Sequence, residues 1–275
     1  MPIQTSDVLR ELSASAAEPV GPEETGGGEC WKVTIDGEDF AAKFTTKDFE
    51  TDRFGRAVEV LKLLDSDRIM KLSDTGTLQT ADGELFPYIL GEFIDGGNVR
   101  KKLESSGPPS EKDLKAFARG VFEGLAALGA EGVVHRDIKP ENIMLRDGDW
   151  SKPVIVDFGY TRGMNMTTKT IYPWHGGTAP YMSPEQLRGE PARVRSDVWA
   201  GVVTVLEVAS GNHPYAEVPD WQYADLILER LEKPPTIDPA VPGDVETWAN
   251  EVNDFRGFKR LKAGEAIERM DDLWQ

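Results

Sequence analysis

One cysteine, Cys30, stands in 275 residues, so no disulfide forms within the chain. That excludes a disulfide-stapled scaffold and fits a reducing compartment. Positive charge is scarce as well. The chain has 31 Lys and Arg against 48 Asp and Glu, a formal net charge of −17. Such a balance favours solubility and argues against nucleic acid or an anionic membrane as partner. Long apolar runs are missing. The most apolar stretch, Val198 to Ala209, is shorter than the ~20 residues a membrane span needs, and it contains Glu207. The first twenty residues lack the apolar core of a secretory signal. The expectation is an intracellular, cytoplasmic protein of roughly one to two domains.

Hydrophobic residues make up 39% of the chain and aromatics 9%, enough for a packed core. The first quarter reads as strand-rich. Cys30 to Ile35 alternates apolar and polar residues, Asp36-Gly37 is a turn signal, and Asp39 to Phe44 follows, which together predict a hairpin. Phe54 to Leu64 predicts a helix with Ala57, Val60, Leu61 and Leu64 on one face. Asp82-Gly83 signals a second hairpin leading into Leu85 to Ile94. After Asp95-Gly96-Gly97 helices dominate. Ser110 with Asp113 has the pattern of a capping box. Leu114, Phe117, Ala118, Val121, Phe122, Leu125 and Leu128 then form one apolar stripe, expected in the core. Further helices are expected at about 195–210, 220–232, 244–255 and 263–274.

The chemistry concentrates in HRDIKPEN, His135 to Asn142. It is followed by two short apolar stretches around a turn at Asp147-Gly148, the second ending in Asp157-Phe158-Gly159. Two such strands would bring Asn142 and Asp157 together, with Asp137 just ahead. Two carboxylates and an amide oxygen beside a lysine suit a hard cation and phosphate.

These segments resemble the catalytic loop H-R-D-x-K-x-x-N and the D-F-G of eukaryotic-type protein kinases of the Ser/Thr class. The likeness continues downstream. Gly176 to Glu185 resembles the segment closing the activation loop, with Ser183 in place of alanine. Ser196 to Val203 resembles the D-x-W helix, and Lys259 to Glu268 the arginine-bearing segment near the C-terminus. Phe40 to Phe44 resembles V-A-I-K on the third strand. Such an ordered set is far more specific than any single motif.

The resemblance implies an α+β, two-lobed protein-kinase-like fold, with a small β-rich N-lobe and a larger, mainly helical C-lobe. Residues 1–19 would be an N-terminal extension, 20–94 the N-lobe and 95–275 the C-lobe. It implies Mg²⁺- and ATP-dependent transfer of phosphate to Ser/Thr hydroxyls of a protein substrate. The acidic surface adds the expectation of a basic substrate. By the same resemblance Asp137 orients the hydroxyl and accepts its proton, and Lys139 neutralises the γ-phosphate. Asn142 and Asp157 hold Mg²⁺, and Lys43 clamps the α- and β-phosphates. Gly26, Gly28, Cys30, Ala41, Gly91, Glu92, Phe93 and Met144 would surround the nucleotide. Lys139 and Thr178 mark the Ser/Thr class. Arg136 would reach the activation loop, and His135 and Phe158 would pack. Glu185 and Arg260 would form a buried ion pair, and Asp197 would hold the catalytic loop backbone.

Beyond Ser183, the sequence departs from the family in four places. Aligning on Gly28 as the last glycine of G-x-G-x-x-G puts Glu23 and Thr25 at the first two glycine positions. The glutamate that should pair with Lys43 falls on Ala57; Glu59 and Glu50 are the nearby carboxylates. Gly91 takes the gatekeeper position, so that either a pocket opens behind the adenine or Met70 or Phe86 fills it. The usual activation phosphosite falls on Trp174, although Thr167, Thr168, Thr170 and Tyr172 lie close by. The alternative to an active kinase is therefore a pseudokinase, a nucleotide-binding scaffold. A kinase of lipids or small molecules is a third reading, disfavoured by the Ser183-Pro184-Glu185 segment.

Overall fold

In the computed structural model, residues 3–20, 29–45, 51–160, 179–215 and 224–274 are described. The chain divides into two compact units, one of residues 1–65 and 70–94, the other of residues 66–69 and 95–275.

The first unit is a five-stranded antiparallel sheet in the order β1-β2-β3-β5-β4. Its strands are β1 Ala16–Pro19, β2 Glu29–Ile35, β3 Glu38–Phe44, β4 Leu72–Gln79 and β5 Leu85–Glu92. The β2–β3 turn consists of Asp36 (φ 52°) and Gly37 (φ 85°), the left-handed pair that a two-residue hairpin needs. Alternation along the strands sends Trp31, Val33, Ala42, Phe44, Tyr88 and Leu90 into one core.

Two elements in the stretch expected to be an extension pack on this same core. Helix α1, Thr5–Glu11, contributes Val8, and Ile3 and Leu12 flank it. Buried Asp7 accepts a bond from the Ala81 amide at 3.1 Å, and Arg10 donates to the Gln79 carbonyl at 2.6 Å. Strand β1 pairs Ala16 to Pro19 with Thr34 to Trp31. The sheet thus starts before residue 20. Helix α2, Thr51–Leu63, buries Ala57, Val60 and Leu61 as the periodicity predicts.

Residues 66–69 belong to the second unit. Ile69 bridges Ile155, and Arg68 accepts at its carbonyl from the Ile155 amide at 2.8 Å. The Arg68 guanidinium binds Glu123 at 2.9 Å and the Ser151 carbonyl at 2.8 Å. The second unit therefore draws on a segment lying before residue 95.

The rest of that unit is helical: α3 Val99–Ser106, α4 Glu111–Ala130, α5 Pro184–Leu187, α6 Val194–Ser210, α7 Ala224–Leu231, α8 Gly243–Val252 and α9 Ala263–Leu273. Ser110 caps α4 by accepting from the Asp113 amide, and the predicted stripe is buried throughout. Phe122 meets Trp248 edge-on at 5.0 Å, joining α4 to α8. A short hairpin, β6 Ile143–Leu145 and β7 Pro153–Ile155, lies against α4. The fit is close: a Cβ on Gly124 would stand 2.8 Å from the Ile155 side chain. Gly96 is tighter still. A Cβ there would stand 2.0 Å from the Leu145 carbonyl oxygen, so only glycine fits. No described helix is long and apolar enough to cross a membrane.

Candidate functional site

The catalytic-loop residues sit on a turn between α4 and β6 whose backbone is held from inside. Arg136 has φ 73°, a conformation a non-glycine residue keeps only when its surroundings enforce it. Here Asp197, on α6, supplies the enforcement. Its carboxylate accepts the His135 amide at 2.7 Å and the Arg136 amide at 2.8 Å. Burial raises the Asp197 carboxyl and outweighs the two amides that oppose it, leaving it at about 7. His135 is fully buried, and that burial lowers its pKa, so the ring is neutral. It lies 3.0 Å from the Val156 carbonyl through Nε2 and edge-on to Phe158 at 5.1 Å. Both rings pack, as expected.

Asp137 is the centre of the loop. It is 6% exposed. Asn142 donates Nδ2 to its carboxylate Oδ2 at 2.7 Å and to its carbonyl at 2.8 Å. Lys139 Nζ stands 3.0 Å from the other carboxylate oxygen. One carboxylate is thus fixed by an amide on one side and an ammonium on the other. Because the Asn142 amide nitrogen is engaged with Asp137, its Oδ1 is the atom left to act as acceptor.

The β6–β7 register brings in the second carboxylate. Ile143 pairs with Ile155, and the Val156 amide bonds the Asn142 carbonyl at 3.0 Å. Asp157 follows at once, with φ 65°, and accepts from the Gly159 amide at 3.3 Å. Asn142 and Asp157, flanking the same end of the β6–β7 hairpin, offer an amide oxygen and a carboxylate, hard donors of the kind Mg²⁺ takes, the rest of its shell being water and phosphate oxygen. Among the described residues no cluster of three or more His, Cys, Asp or Glu is arranged for a metal. Met144, on β6, pairs with Val154 and bridges Asn98.

The other predicted positions lie in the first unit. Cys30 pairs with Lys43, and Lys43 with Ile89; Ala41 pairs with Gly91. Directly paired residues share a face, so Cys30, Ala41, Lys43 and Gly91 line the side of the sheet opposite Ala42 and Phe44. Glu92 ends β5 and accepts from the Lys71 amide at 2.8 Å. Phe93 follows, with Lys32 Nζ 4.9 Å above its ring. Gly26, Gly28, Thr178, Glu23, Thr25, Glu50, Thr167, Thr168, Thr170, Tyr172 and Trp174 lie outside the described residues. Ala57 is buried on α2 and Glu59 is exposed.

The space beside Gly91 is filled. A Cβ there would stand 2.9 Å from Met70 Sδ and 3.2 Å from the Lys71 carbonyl oxygen. Of the two readings of this glycine, the structure favours filling by Met70.

The ion pair expected from sequence is present. Arg260, fully buried, donates to Glu185 at 2.8 Å, and Ser196 donates to the same carboxylate at 2.7 Å. Sequence reasoning passed over a second, partly buried charge cluster, Arg100 with Glu141, Tyr181 and Glu207.

The protein kinase domain family matches residues 25–259. The chain belongs to that family. Among relatives, a probable serine/threonine-protein kinase PknB of Bifidobacterium longum is 30% identical over 223 residues, covering 77% of this chain and 32% of that protein. A probable serine/threonine-protein kinase PkwA of Thermomonospora curvata is 34% identical over 194 residues, 70% of this chain and 24% of that protein. The serine/threonine-protein kinase PknL of Mycobacterium tuberculosis is 40% identical over 137 residues, 50% of this chain and 34% of that protein. The chain thus spans about a third or less of the length of these relatives. Its two-unit α+β architecture is that of the kinase domain family.

Proposed function

We propose that this kinase domain is an active Ser/Thr protein kinase that transfers the γ-phosphate of ATP to protein hydroxyls with Mg²⁺. The observation that carries the reading is the Asp137 carboxylate, buried and fixed between Asn142 and Lys139. A scaffold has no use for a carboxylate oriented at that cost. The relatives named as serine/threonine kinases support the substrate class.

Phosphoryl transfer asks mainly for positioning and charge neutralisation. Asp137 orients the acceptor hydroxyl and takes its proton as the oxygen attacks phosphorus. Lys139, within reach of that carboxylate, offsets the charge of the transferred group. Asn142 Oδ1 and Asp157 hold Mg²⁺, which supplies charge neutralisation on the phosphate oxygens. Lys43, on the face of the sheet opposite Phe44 with Ala41, Cys30 and Gly91, binds the α- and β-phosphates. Glu92, Phe93 and Met144 are the residues assigned to the nucleotide base. Gly26 and Gly28 approach the phosphates, and Thr178 assists at the acceptor side. The domain is proposed to act in the cytoplasm, with the N-lobe ending at residue 94.

Radiolabelled phosphate transfer from ATP and Mg²⁺ to a generic basic protein tests the reading. Lys43→Met is expected to lower kcat/KM by about 10²-fold, the loss of one charge-assisted phosphate contact and its positioning. Unchanged turnover would remove Lys43 from the site. A basic substrate is favoured by long-range attraction to the −17 surface. The preference should fade as salt rises from about 0.05 to 0.5 M; equal rates on acidic and basic peptides at low salt would contradict it. Met70→Ala is expected to admit ATP-site inhibitors with bulky substituents that the wild type rejects, because it empties the space beside Gly91. Equal inhibition of both proteins would show that Met70 does not guard that space.

A further inference from the structure

Cations are the minority in this chain, yet they gather on one face of the second unit. Residues 185–195 and 254–262 hold seven Lys and Arg against three Asp and Glu, a net +4 in a chain of net −17. The fold ties these two segments together. Arg260 donates to Glu185 at 2.8 Å and to the Arg195 carbonyl at 2.6 Å, and Arg188 stands 4.8 Å above the Phe255 ring. A Cβ on Gly257 would stand 3.3 Å from Glu185 Oε1, so the segments lie in contact. Arg188, Arg193 and Lys259 are exposed, and none of them makes an ion pair among the described residues, although carboxylates outnumber cations in the chain. Phe258, beside Lys259, is 76% exposed, more than any other large hydrophobic side chain described. Arginine and aromatic residues together are the composition of a protein interface.

A cavity adjoins this cationic ridge and shares residues with it. It measures about 580 Å³, within the range of ligand pockets. Its interior is lined by Val202, Val203 and Leu206 of α6, Leu231 of α7 and Ala249 of α8. Asp254, Phe255 and Arg256 of the ridge also line it, with Arg256 paired to Asp254 at 3.1 Å; so do Glu232 and Lys233. The charges of the lining therefore cancel, and the cavity itself selects an apolar group.

We propose that the ridge and the cavity together are a docking surface for an acidic peptide segment of a partner protein. One large apolar side chain enters the cavity, and the carboxylates flanking it lie along the ridge. The charge of the ridge sets the sign of the partner, and the apolar lining beside it sets the anchor. A long polyanion such as a nucleic acid would run past the ridge onto a surface of its own sign; a short acidic segment ends before it does so. The surface includes none of the residues assigned to phosphate transfer, so the inference stands apart from that reading.

The test is fluorescence anisotropy with an array of labelled peptides, in which one apolar residue (Leu, Ile, Met, Phe or Trp) sits between Glu-Glu pairs. Binding is read without nucleotide at about 0.05 M salt, where exposed charges act beyond about 10 Å. At least one peptide should bind saturably, and more tightly than its counterpart with Lys-Lys pairs. Exchanging its apolar residue for serine should weaken binding by about tenfold or more, the scale of burying one large side chain. The double variant Arg193→Glu, Lys259→Glu should weaken it by about tenfold, and this loss should shrink as salt rises to about 0.5 M. Both residues are exposed and unpaired, so the variant should keep the wild-type melting temperature. Ala249→Leu fills the cavity and should weaken binding as the serine exchange does; if it fails to fold, the serine exchange reads the cavity by itself. No preference for the acidic peptides, or an affinity that the charge reversal leaves unchanged, overturns the proposal. Self-association of the wild type without peptide binding, removed by the charge reversal, would assign the face to a second copy of the chain and overturn it as well. Tighter binding of a single-stranded DNA oligomer, lost in the same variant, would do the same in favour of nucleic acid.

Discussion

Asp137→Asn lowers kcat for phosphate transfer by about 10²- to 10⁴-fold, the range that a positioned general base supplies. That corresponds to about 3–5 kcal/mol of transition-state stabilisation. The substitution is nearly isosteric. Its amide oxygen still accepts from Asn142, so the turn between α4 and β6 is retained. What disappears is the negative charge that Lys139 faces at 3.0 Å and the capacity to take a proton from the substrate hydroxyl. Nucleotide affinity should change little, because the residues proposed to hold the phosphates are others. Full activity in the variant would show that a different group orients the hydroxyl.

Arg260→Ala destabilises the second unit by about 3–5 kcal/mol, the cost of leaving one partner of a buried ion pair alone. Arg260 is fully buried and is engaged on every side. It donates to Glu185, to the Arg195 carbonyl at 2.6 Å and to the Asp254 carbonyl at 3.1 Å, and it stacks 5.1 Å from the Trp199 ring. Removing it strands the Glu185 carboxylate and two carbonyls at once. Against a total stability of about 5–15 kcal/mol the loss is large, and the melting temperature should fall by roughly 10 °C. The pH dependence has a defined sign. Burial raises the Glu185 pKa, but Arg260 and Ser196 more than offset this, so the folded-state value lies below the ordinary one. The pair's contribution is present above the ordinary glutamate value and is lost as pH falls through the folded one. The gap between wild type and variant should therefore narrow in acid. A gap below about 1 kcal/mol at neutral pH would show that the pair contributes little.

Much of this was legible in the sequence because it is local. The Asp36-Gly37 hairpin, the α4 stripe and the run from His135 to Gly159 are each encoded in consecutive residues with strong periodicity or turn chemistry. The parts that were not legible depend on distant positions. β1 has four residues and no buried side chain, so its pattern carries no period to read. Residues 66–69 join the second unit through Ile155 and Glu123, which neighbouring residues do not foretell. The filling of Gly91 by Met70 depends on the antiparallel β4–β5 pairing. The Arg100 cluster draws on positions 100, 141, 181 and 207, too far apart along the chain for any local pattern to join them.

The most direct test of the central claim is phosphoamino-acid analysis of a protein substrate after incubation with the chain, ATP and Mg²⁺, with Asp137→Asn alongside. The account predicts phosphoserine and phosphothreonine with the wild type and at most about a hundredth of that with the variant. Nucleotide bound by the wild type with no transfer above the variant would contradict it and leave a nucleotide-binding scaffold in its place.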